Sequence, residues 1–251
     1  MNWQDERVSK VVGLLLGIAL IGATALSAPP AVKFSDVVSI DDLTAEIPVA
    51  IVEIERSLVS EESFEKSAAK SRRLAVQLAI FAQALTEHDQ ESSLKSRGPA
   101  VRDAAMQYSQ TQSYEEARSR FELLKGFVDG ESSANAKSEY DWSQLGSTRL
   151  LMDAMRDRSD VIRKGLRRPK DPVLESRQAA MMAVLAFAID AQANRWKNAE
   201  ERPLWHSTSR DLQRSLTQTA QAIRSQNGSA AMEHFTAAHA ACDRCHEKLK
   251  R

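Results

Sequence analysis

The chain has 251 residues, 43% hydrophobic and 6% aromatic, and its 34 basic side chains balance 34 acidic ones. A neutral chain has no general electrostatic attraction to nucleic acid, so nucleic acid is not expected among its partners. Nine glycines and seven prolines are too few for collagen-like, low-complexity or turn-dense all-β architectures. The only two cysteines, Cys242 and Cys245, cannot build a disulfide scaffold.

The amino-terminal segment has the composition of an export signal. Residues 11–28 read VVGLLLGIALIGATALSA, carry no charge and follow Arg7 and Lys10. Small residues and then the pair Pro29–Pro30 complete an order typical of a cleaved secretory signal peptide. The stretch also reaches the lower end of the roughly 17–25 residues that span a bilayer. We therefore expect residues 1–28 to be a signal peptide or a membrane anchor, and the protein to be exported.

After Pro30 the apolar residues recur at intervals of three or four, which predicts helices and almost no strands. Four helices are predicted in the first half, at residues 47–58, 62–88, from Gly98 through Met106, and 114–128. Pro48 is assigned to the first turn of the first helix, where its missing N–H costs nothing. Residues 40–128 are expected to form a helical bundle.

A polar stretch without large apolar residues, 129–139, is predicted to be a linker. The second half, residues 140–251, repeats the plan of the first. Its helices are predicted at residues 142–166, 173–199, 204–226 and from 229 to the end. Ser71-Arg72 and Ser176-Arg177 precede apolar helices in the two halves, which suggests a degenerate repeat. The predicted fold is all-α, with two four-helix bundles and short connections between antiparallel neighbours.

One motif in the chain carries chemistry, the segment Cys242-Asp-Arg-Cys245-His246. It is the CxxCH pattern by which c-type haem is attached to protein. Residues three and four apart share one face of a helix, so the two thiols and the imidazole point the same way. The thiols can then form thioethers with the two haem vinyl groups. We predict one covalent haem c, anchored by Cys242 and Cys245, with His246 as the proximal iron ligand.

Three other uses of this motif compete with haem attachment. A zinc site would need a second ligand cluster, and the chain has no further cysteine. A thioredoxin-like redox pair belongs at a strand-to-helix junction, not near the end of a helical chain. A simple disulfide in an exported protein is the most serious alternative, but it leaves His246 and the export segment as coincidences. Haem attachment takes place outside the cytoplasmic membrane in bacteria, so a periplasmic location and the motif support each other.

A helical chain with CxxCH close to its C-terminus resembles the class II c-type cytochromes, the cytochrome c-prime group. The resemblance covers residues 140–251 and rests on the motif. It implies a four-helix bundle whose haem is attached to the last helix. Lys250 lies four residues after the haem-binding histidine, where the family commonly has a basic residue, while Leu249 replaces the aromatic residue often found before it. The family, usually a single bundle, does not account for the first half, which has no haem motif and is expected to be haemless.

The resemblance also points to the sixth iron ligand. In the family, the first helix of the bundle faces the distal side of the haem. Some members place a methionine there and carry electrons, whereas others place an apolar residue and bind small gases. Met152 lies about where the six-coordinate members have their ligand, and Met155 is a weaker candidate. The alternative is that both methionines belong to a plain core stripe, since methionine fills irregular cores readily.

The remaining histidines are weaker candidates for the haem site. His239 shares a face with His246 but lies about 10 Å away along the helix axis, so we expect it at the haem edge or in the core. His206 is a remote distal candidate. His234 and His88 are expected at the surface.

A basic cluster follows in the second half, and it either docks an acidic redox partner or complements the dipole of its helix. Its members are Arg163, Lys164, Arg167, Arg168 and Lys170.

The sequence thus predicts an exported electron-transfer protein and not an enzyme. Its single haem is expected to cycle between Fe(III) and Fe(II), and its partners are unidentified redox proteins. Two alternatives stay open: a five-coordinate haem protein that binds or senses gases, and a structural helical protein without haem. The oligomeric state is also open, and a homodimer is among the alternatives.

Overall fold

The computed structural model describes residues 33–131 and 140–249, and within these ranges it contains eight α-helices and no strand. The helices are α1 (Ile40–Ser57), α2 (Glu61–Glu87), α3 (Gly98–Ser109), α4 (Tyr114–Asp129), α5 (Thr148–Arg167), α6 (Pro172–Ala191), α7 (Arg202–Arg224) and α8 (Gly228–Leu249). The all-α prediction is confirmed. The predicted signal or anchor at residues 1–28 and most of the predicted linker at 129–139 lie outside the described residues.

Most of the helices begin at a polar side chain that caps the first turn. A hydroxyl or carboxylate just before the helix accepts a backbone N–H three residues further on, which satisfies one of the free amide groups of the first turn. The caps of this kind are Ser39, Ser60, Ser113, Ser147, Asp171 and Asn227.

The first helix is longer than the sequence pattern predicts. It begins at Ile40 and not at residue 47, so Pro48 lies inside α1 and the prediction of a first-turn proline is wrong. The added turns carry Asp42 and Glu46, which are buried although both are acidic. Each faces arginines of the second half, and these partners make the burial of the charge tolerable. An amphipathic pattern cannot reveal charged residues that lie on the buried face.

Two other helices are shorter than predicted. A 3₁₀ turn, Trp142–Gln144, is separated from α5 by Gly146 and the cap Ser147. A Cβ on Gly146 would lie 2.8 Å from a methyl carbon of Val76, so the close approach of α2 requires glycine here. At the other end, α6 stops at Ala191 and continues only as a 3₁₀ turn, Gln192–Arg195.

Helices that follow one another in sequence pack against each other in both halves, and the ends of each set also touch, α1 with α4 and α5 with α8. α2 and α6 are the central helices. Every residue from Ala75 to Leu85 and from Ala179 to Ala186 is buried, which requires cover on all sides of a helix. Because α2 also contacts α5 and α6, and α1 contacts α6, the described helices share one continuous apolar core.

The apolar character of α6 has a packing explanation. The segment Pro172–Arg195 is long and apolar enough to cross a membrane by length and composition alone. In its most apolar window, however, 67% of the residues are buried inside the protein. A helix enclosed by other helices needs no polar face, so we assign the segment to the core.

His88 is buried, so its predicted surface position is wrong. Its Nδ1 accepts the backbone N–H of Gln90 at 3.0 Å, and its Nε2 donates to the carbonyl of Val38 at 3.0 Å. The ring therefore ties the segment after α2 to the segment before α1. A buried histidine with both ring nitrogens hydrogen-bonded in this way stabilises the fold.

Candidate functional site

A cavity of about 470 Å³ lies among the four helices of the second half. Its walls are predominantly apolar, and its volume lies in the range of ligand pockets in proteins. The lining residues used below are Met152, Met155, Arg156, Ser159 and Arg163 of α5, Met182 and Ile189 of α6, Thr208 and Leu212 of α7, and His239, Cys242, Cys245 and His246 of α8.

All three chemically active residues of the CxxCH motif line this cavity. Cys242 and Cys245 are half-buried with free thiols, and His246 is exposed at the rim. The helical conformation over Gly228–Leu249 places them on one side of α8, because their spacing of three and four residues matches the helical repeat. Alanines on the buried face of α8, such as Ala238 and Ala241, leave little side-chain volume where α8 packs against the rest of the bundle.

The surroundings of the two thiols keep them protonated. Burial raises the pKa of Cys242 to about 11, and the neighbouring Cys245 and Asp243 add to the rise. Burial also raises the pKa of Cys245, although hydrogen bonding with Thr208 works against the rise. Thiolates at helix N-termini or beside cations have lowered pKa values and react as nucleophiles or redox pairs. These thiols lie in the opposite environment, which does not favour a thioredoxin-like role.

The methionines predicted as distal ligands line the same cavity. Met152 is half-buried and Met155 is almost fully buried, and both project from α5. A third thioether, that of Met182 on α6, lines the cavity and was not predicted. Met182 belongs to a run of consecutive buried residues, so no periodic pattern in the sequence distinguishes it from its neighbours.

His239 forms part of the cavity wall near the mouth. Its Nε2 lies 3.2 Å from the Ser159 hydroxyl and 3.4 Å from the Arg163 guanidinium. An arginine can only donate, so Nε2 accepts and the ring is neutral in this arrangement. Burial lowers the pKa of His239, and the charge of Arg163 lowers it further. Phe235 holds the ring edge-to-face, with the centroids 4.7 Å apart. His239 is thus already engaged at the cavity wall.

Two arginines, each paired with an aspartate, line the exposed edge of this cavity. Arg156 and Arg163 lie two helical turns apart on α5, and each pairs with the aspartate three residues before it. The pairing distances are 2.9 Å to Asp153 and 3.1 Å to Asp160. Because Arg156 and Arg163 are solvent-exposed, these pairs contribute little to stability, and the guanidinium groups can turn to another anion.

His206, His234 and Leu249 lie outside this cavity. His206 is not among the lining residues, and its Nδ1 is 2.8 Å from the carboxylate of Asp190. His234 is half-buried on another side of α8. Leu249 is buried, and Lys250 lies outside the described residues.

Across residues 33–131 and 140–249, no group of three or more His, Cys, Asp or Glu side chains could hold a metal ion. A haem iron needs only axial ligands from the protein, since the porphyrin supplies the other four nitrogens. No protein family, no curated protein and no solved structure matches the chain. Functional inference therefore depends on the chemistry and geometry of the cavity itself.

Proposed function

We propose that this protein is an exported c-type cytochrome that carries electrons through one covalently attached haem. The observation that supports this most strongly is the lining of the cavity among α5 to α8. The CxxCH residues of α8 and the methionine thioethers of α5 and α6 line the same predominantly apolar cavity. A disulfide or a structural helix would need no cavity at this position.

The residues around the cavity could hold both the vinyl groups and the iron of a haem. Cys242 and Cys245 are half-buried at the cavity wall and form no disulfide, so their thiols are available for thioether formation. His246 at the rim would bind the iron, and Met152 is the proposed ligand on the other side. When bound, the haem would supply a one-electron Fe(III)/Fe(II) couple, whose potential a thioether ligand raises.

Other lining residues would pair with the haem carboxylates or exclude water from the haem. Arg156 and Arg163 would pair with the haem carboxylates at the rim, because arginine binds carboxylates with two parallel hydrogen bonds. Met182, Ile189 and Leu212 would exclude water from the ring. A dry and rigid environment around the haem would keep the reorganisation energy of electron transfer small.

The order of packing in the second half agrees with the resemblance noted from the sequence. α5 contacts α6 and α8, and α7 packs between α6 and α8. This is the neighbour relation expected of a four-helix bundle of cytochrome c-prime type with the haem on its last helix. In this proposal the first half is a haemless set of helices joined to that bundle.

A haem stain on a denaturing gel tests the proposal directly. Protein produced in a host that matures c-type cytochromes should keep a haem-stained band after boiling, and C242S/C245S should lose it. D243A and R244A are the matched controls, because both residues lie inside the motif but are exposed. A colourless wild-type protein, with its two sulfurs free or joined, would overturn the proposal.

The absorption spectrum of the reduced protein separates a carrier from a gas-binding protein. A low-spin spectrum that carbon monoxide does not alter supports six-coordination and electron transfer. Rapid formation of a carbonyl adduct supports the alternative, a five-coordinate haem open to small gases.

A further inference from the structure

A second hollow, of about 510 Å³, lies at the turn between α5 and α6. Four cations surround it, Lys164, Arg167, Arg168 and Lys170, and we call it the basic hollow. Two aliphatic side chains also line it, Val161 and Leu174, which are 42% and 40% exposed. Exposed cations together with exposed apolar side chains in one hollow are a composition found at protein interaction sites.

The four cations lack acidic partners among the described residues. Other surface cations do pair, for example Lys66 with Glu62 at the start of α2. The acids nearest the hollow are directed to the backbone instead. The buried carboxylate of Glu175 accepts the N–H groups of Lys170 and Asp171 at 3.0 and 3.4 Å, and Asp171 caps α6. Four cations against the two carboxylates of Asp171 and Glu175 leave the lining of the hollow net positive.

The helix dipole does not account for the whole arrangement. Lys164 and Arg167 occupy the last turn of α5, where cations stabilise the helix C-terminus. Arg168 is the C-cap of α5 and is still within reach of that effect, whereas Lys170 lies beyond the helix end and just before the N-cap of α6, where a helix dipole does not favour a cation. The exposure of Val161 and Leu174 also has no explanation in the dipole. A surface that keeps apolar side chains in water and cations unpaired fits a partner.

Shared lining residues show that the basic hollow lies near the cavity of the proposed haem site. A smaller hollow of about 290 Å³ is lined by residues of α5 and α8. It shares Arg163 and His239 with the haem cavity and Arg167 with the basic hollow. Arg163 and Arg167 are one helical turn apart, about 6 Å along the axis. A partner seated on the basic hollow would thus lie beside the mouth of the proposed haem site.

We propose that the basic hollow docks an acidic protein surface, that of the electron-transfer partner, with carboxylates on the four cations and an apolar side chain between Val161 and Leu174. This inference rests on the proposed function, because the partner is assumed to exchange electrons with the haem. The concave shape favours a protruding protein surface over a lipid bilayer, which is flat. The Glu175 carboxylate in the lining disfavours a small multivalent anion.

The test measures electron transfer between haem-loaded protein and an acidic plant-type ferredoxin, used as a probe of known negative charge. R168E/K170E reverses two cations outside the helices, where folding is least affected. K66E/K70E is the matched control, with the same change in charge on exposed positions of α2. Stopped-flow absorbance at low ionic strength gives the second-order rate constant for each variant.

We expect R168E/K170E to lower the rate constant about tenfold or more and to flatten its dependence on salt, because steering by opposite charges is lost. K66E/K70E should change the rate constant less than about twofold. Equal rates for wild type and R168E/K170E, in protein with an intact haem spectrum, would overturn the docking proposal and leave the proposed function standing. A colourless wild-type protein would instead overturn the proposed function.

Lipid binding gives an independent outcome. Vesicles of phosphatidylglycerol should bind wild type and R168E/K170E equally in a sedimentation assay. Loss of vesicle binding in R168E/K170E with unchanged ferredoxin kinetics would assign the hollow to anionic lipid and contradict the proposal.

Discussion

The guanidinium of Arg158 donates a hydrogen bond to the carboxylate of Glu46 across 2.7 Å, and both side chains are buried. The pair joins α5 to α1. Arg158 also donates to Gln77 of α2 and Gln178 of α6, at 2.9 and 2.7 Å. Its guanidinium lies 5.0 Å from the ring centre of Phe81. One side chain thus links helices of both halves of the chain.

Removal of one member of this pair should be far more harmful than removal of both. We expect Glu46→Leu to lower the free energy of unfolding by about 3–5 kcal/mol, because Arg158 is left buried without its counter-charge. The double variant E46L/R158M should lose much less, since no unpaired charge remains. Urea denaturation followed by circular dichroism measures both.

Arg56→Met serves as the control for this experiment. Arg56 pairs with Glu53 on the surface, with 70% of its side chain exposed, so the change should stay within about 0.5 kcal/mol. If the double variant proves as unstable as E46L, the buried pair is not the source of the effect.

Substitution of the cavity methionines one at a time should identify the distal ligand. Leucine nearly conserves the volume of methionine, so M152L, M155L and M182L should each cost less than about 1.5 kcal/mol. We expect only M152L to convert a low-spin haem into one that binds carbon monoxide, since only this change removes the proposed iron ligand. The reduced absorption spectrum with and without carbon monoxide reports the result. The same conversion in M182L alone would assign the ligand to α6.

The thiols of protein made without haem should react slowly in the native state. With the pKa of Cys242 raised from 9.0 to about 11, its thiolate fraction near pH 8 is about 100-fold below that of an ordinary thiol. The rate should rise about tenfold per pH unit, because thiolate accumulates until the pH reaches the pKa. Mass spectrometry after timed iodoacetamide treatment measures it.

Urea-unfolded protein is the reference for that rate. Native thiols that react as fast as unfolded ones would contradict the burial argument. Haem-loaded protein should not react in either state, because its sulfurs would be thioethers.

Gly165 should be intolerant of even one added carbon. A Cβ there would lie 2.6 Å from Cδ of Glu175, whose carboxylate is fixed by its backbone bonds. We expect Gly165→Ala to cost about 1–3 kcal/mol through overpacking between α5 and α6. Gly228→Ala is the matched control. Nothing lies within 4 Å of its Cβ position, so this change should be neutral or stabilise by up to about 1 kcal/mol. Thermal unfolding of the two variants should therefore shift in opposite directions or by clearly unequal amounts.

The parts of the fold that depend on local sequence were predictable. The starts of α3 and α4 and the extent of α2 follow from turn residues and helical periodicity, and the structure places them within a residue of the prediction. The beginning of α1 was not predictable, because Asp42 and Glu46 are buried only by virtue of arginines far away in sequence. The same holds for His88, whose partners come from two separate segments.

Some residues of the candidate site could be predicted from local sequence, and others could not. Cys242, Cys245 and His246 lie within one helical turn, so their common face could be inferred from spacing alone. The participation of Met182 and Arg156 in the cavity wall depends on how α5 and α6 are placed against α8. Tertiary packing determines that placement, and no single segment encodes it.

Because α6 is enclosed, the second half of the chain needs the first half to cover its apolar surface. α1 and α2 cover a flank of α6 that has no charged residue between Ala179 and Ala186. A fragment trimmed to residues 140–251 would present that flank to solvent and would tend to aggregate. The helices of the first half therefore keep this flank permanently covered, and a chain shortened to residues 140–251 should be less soluble than the full chain.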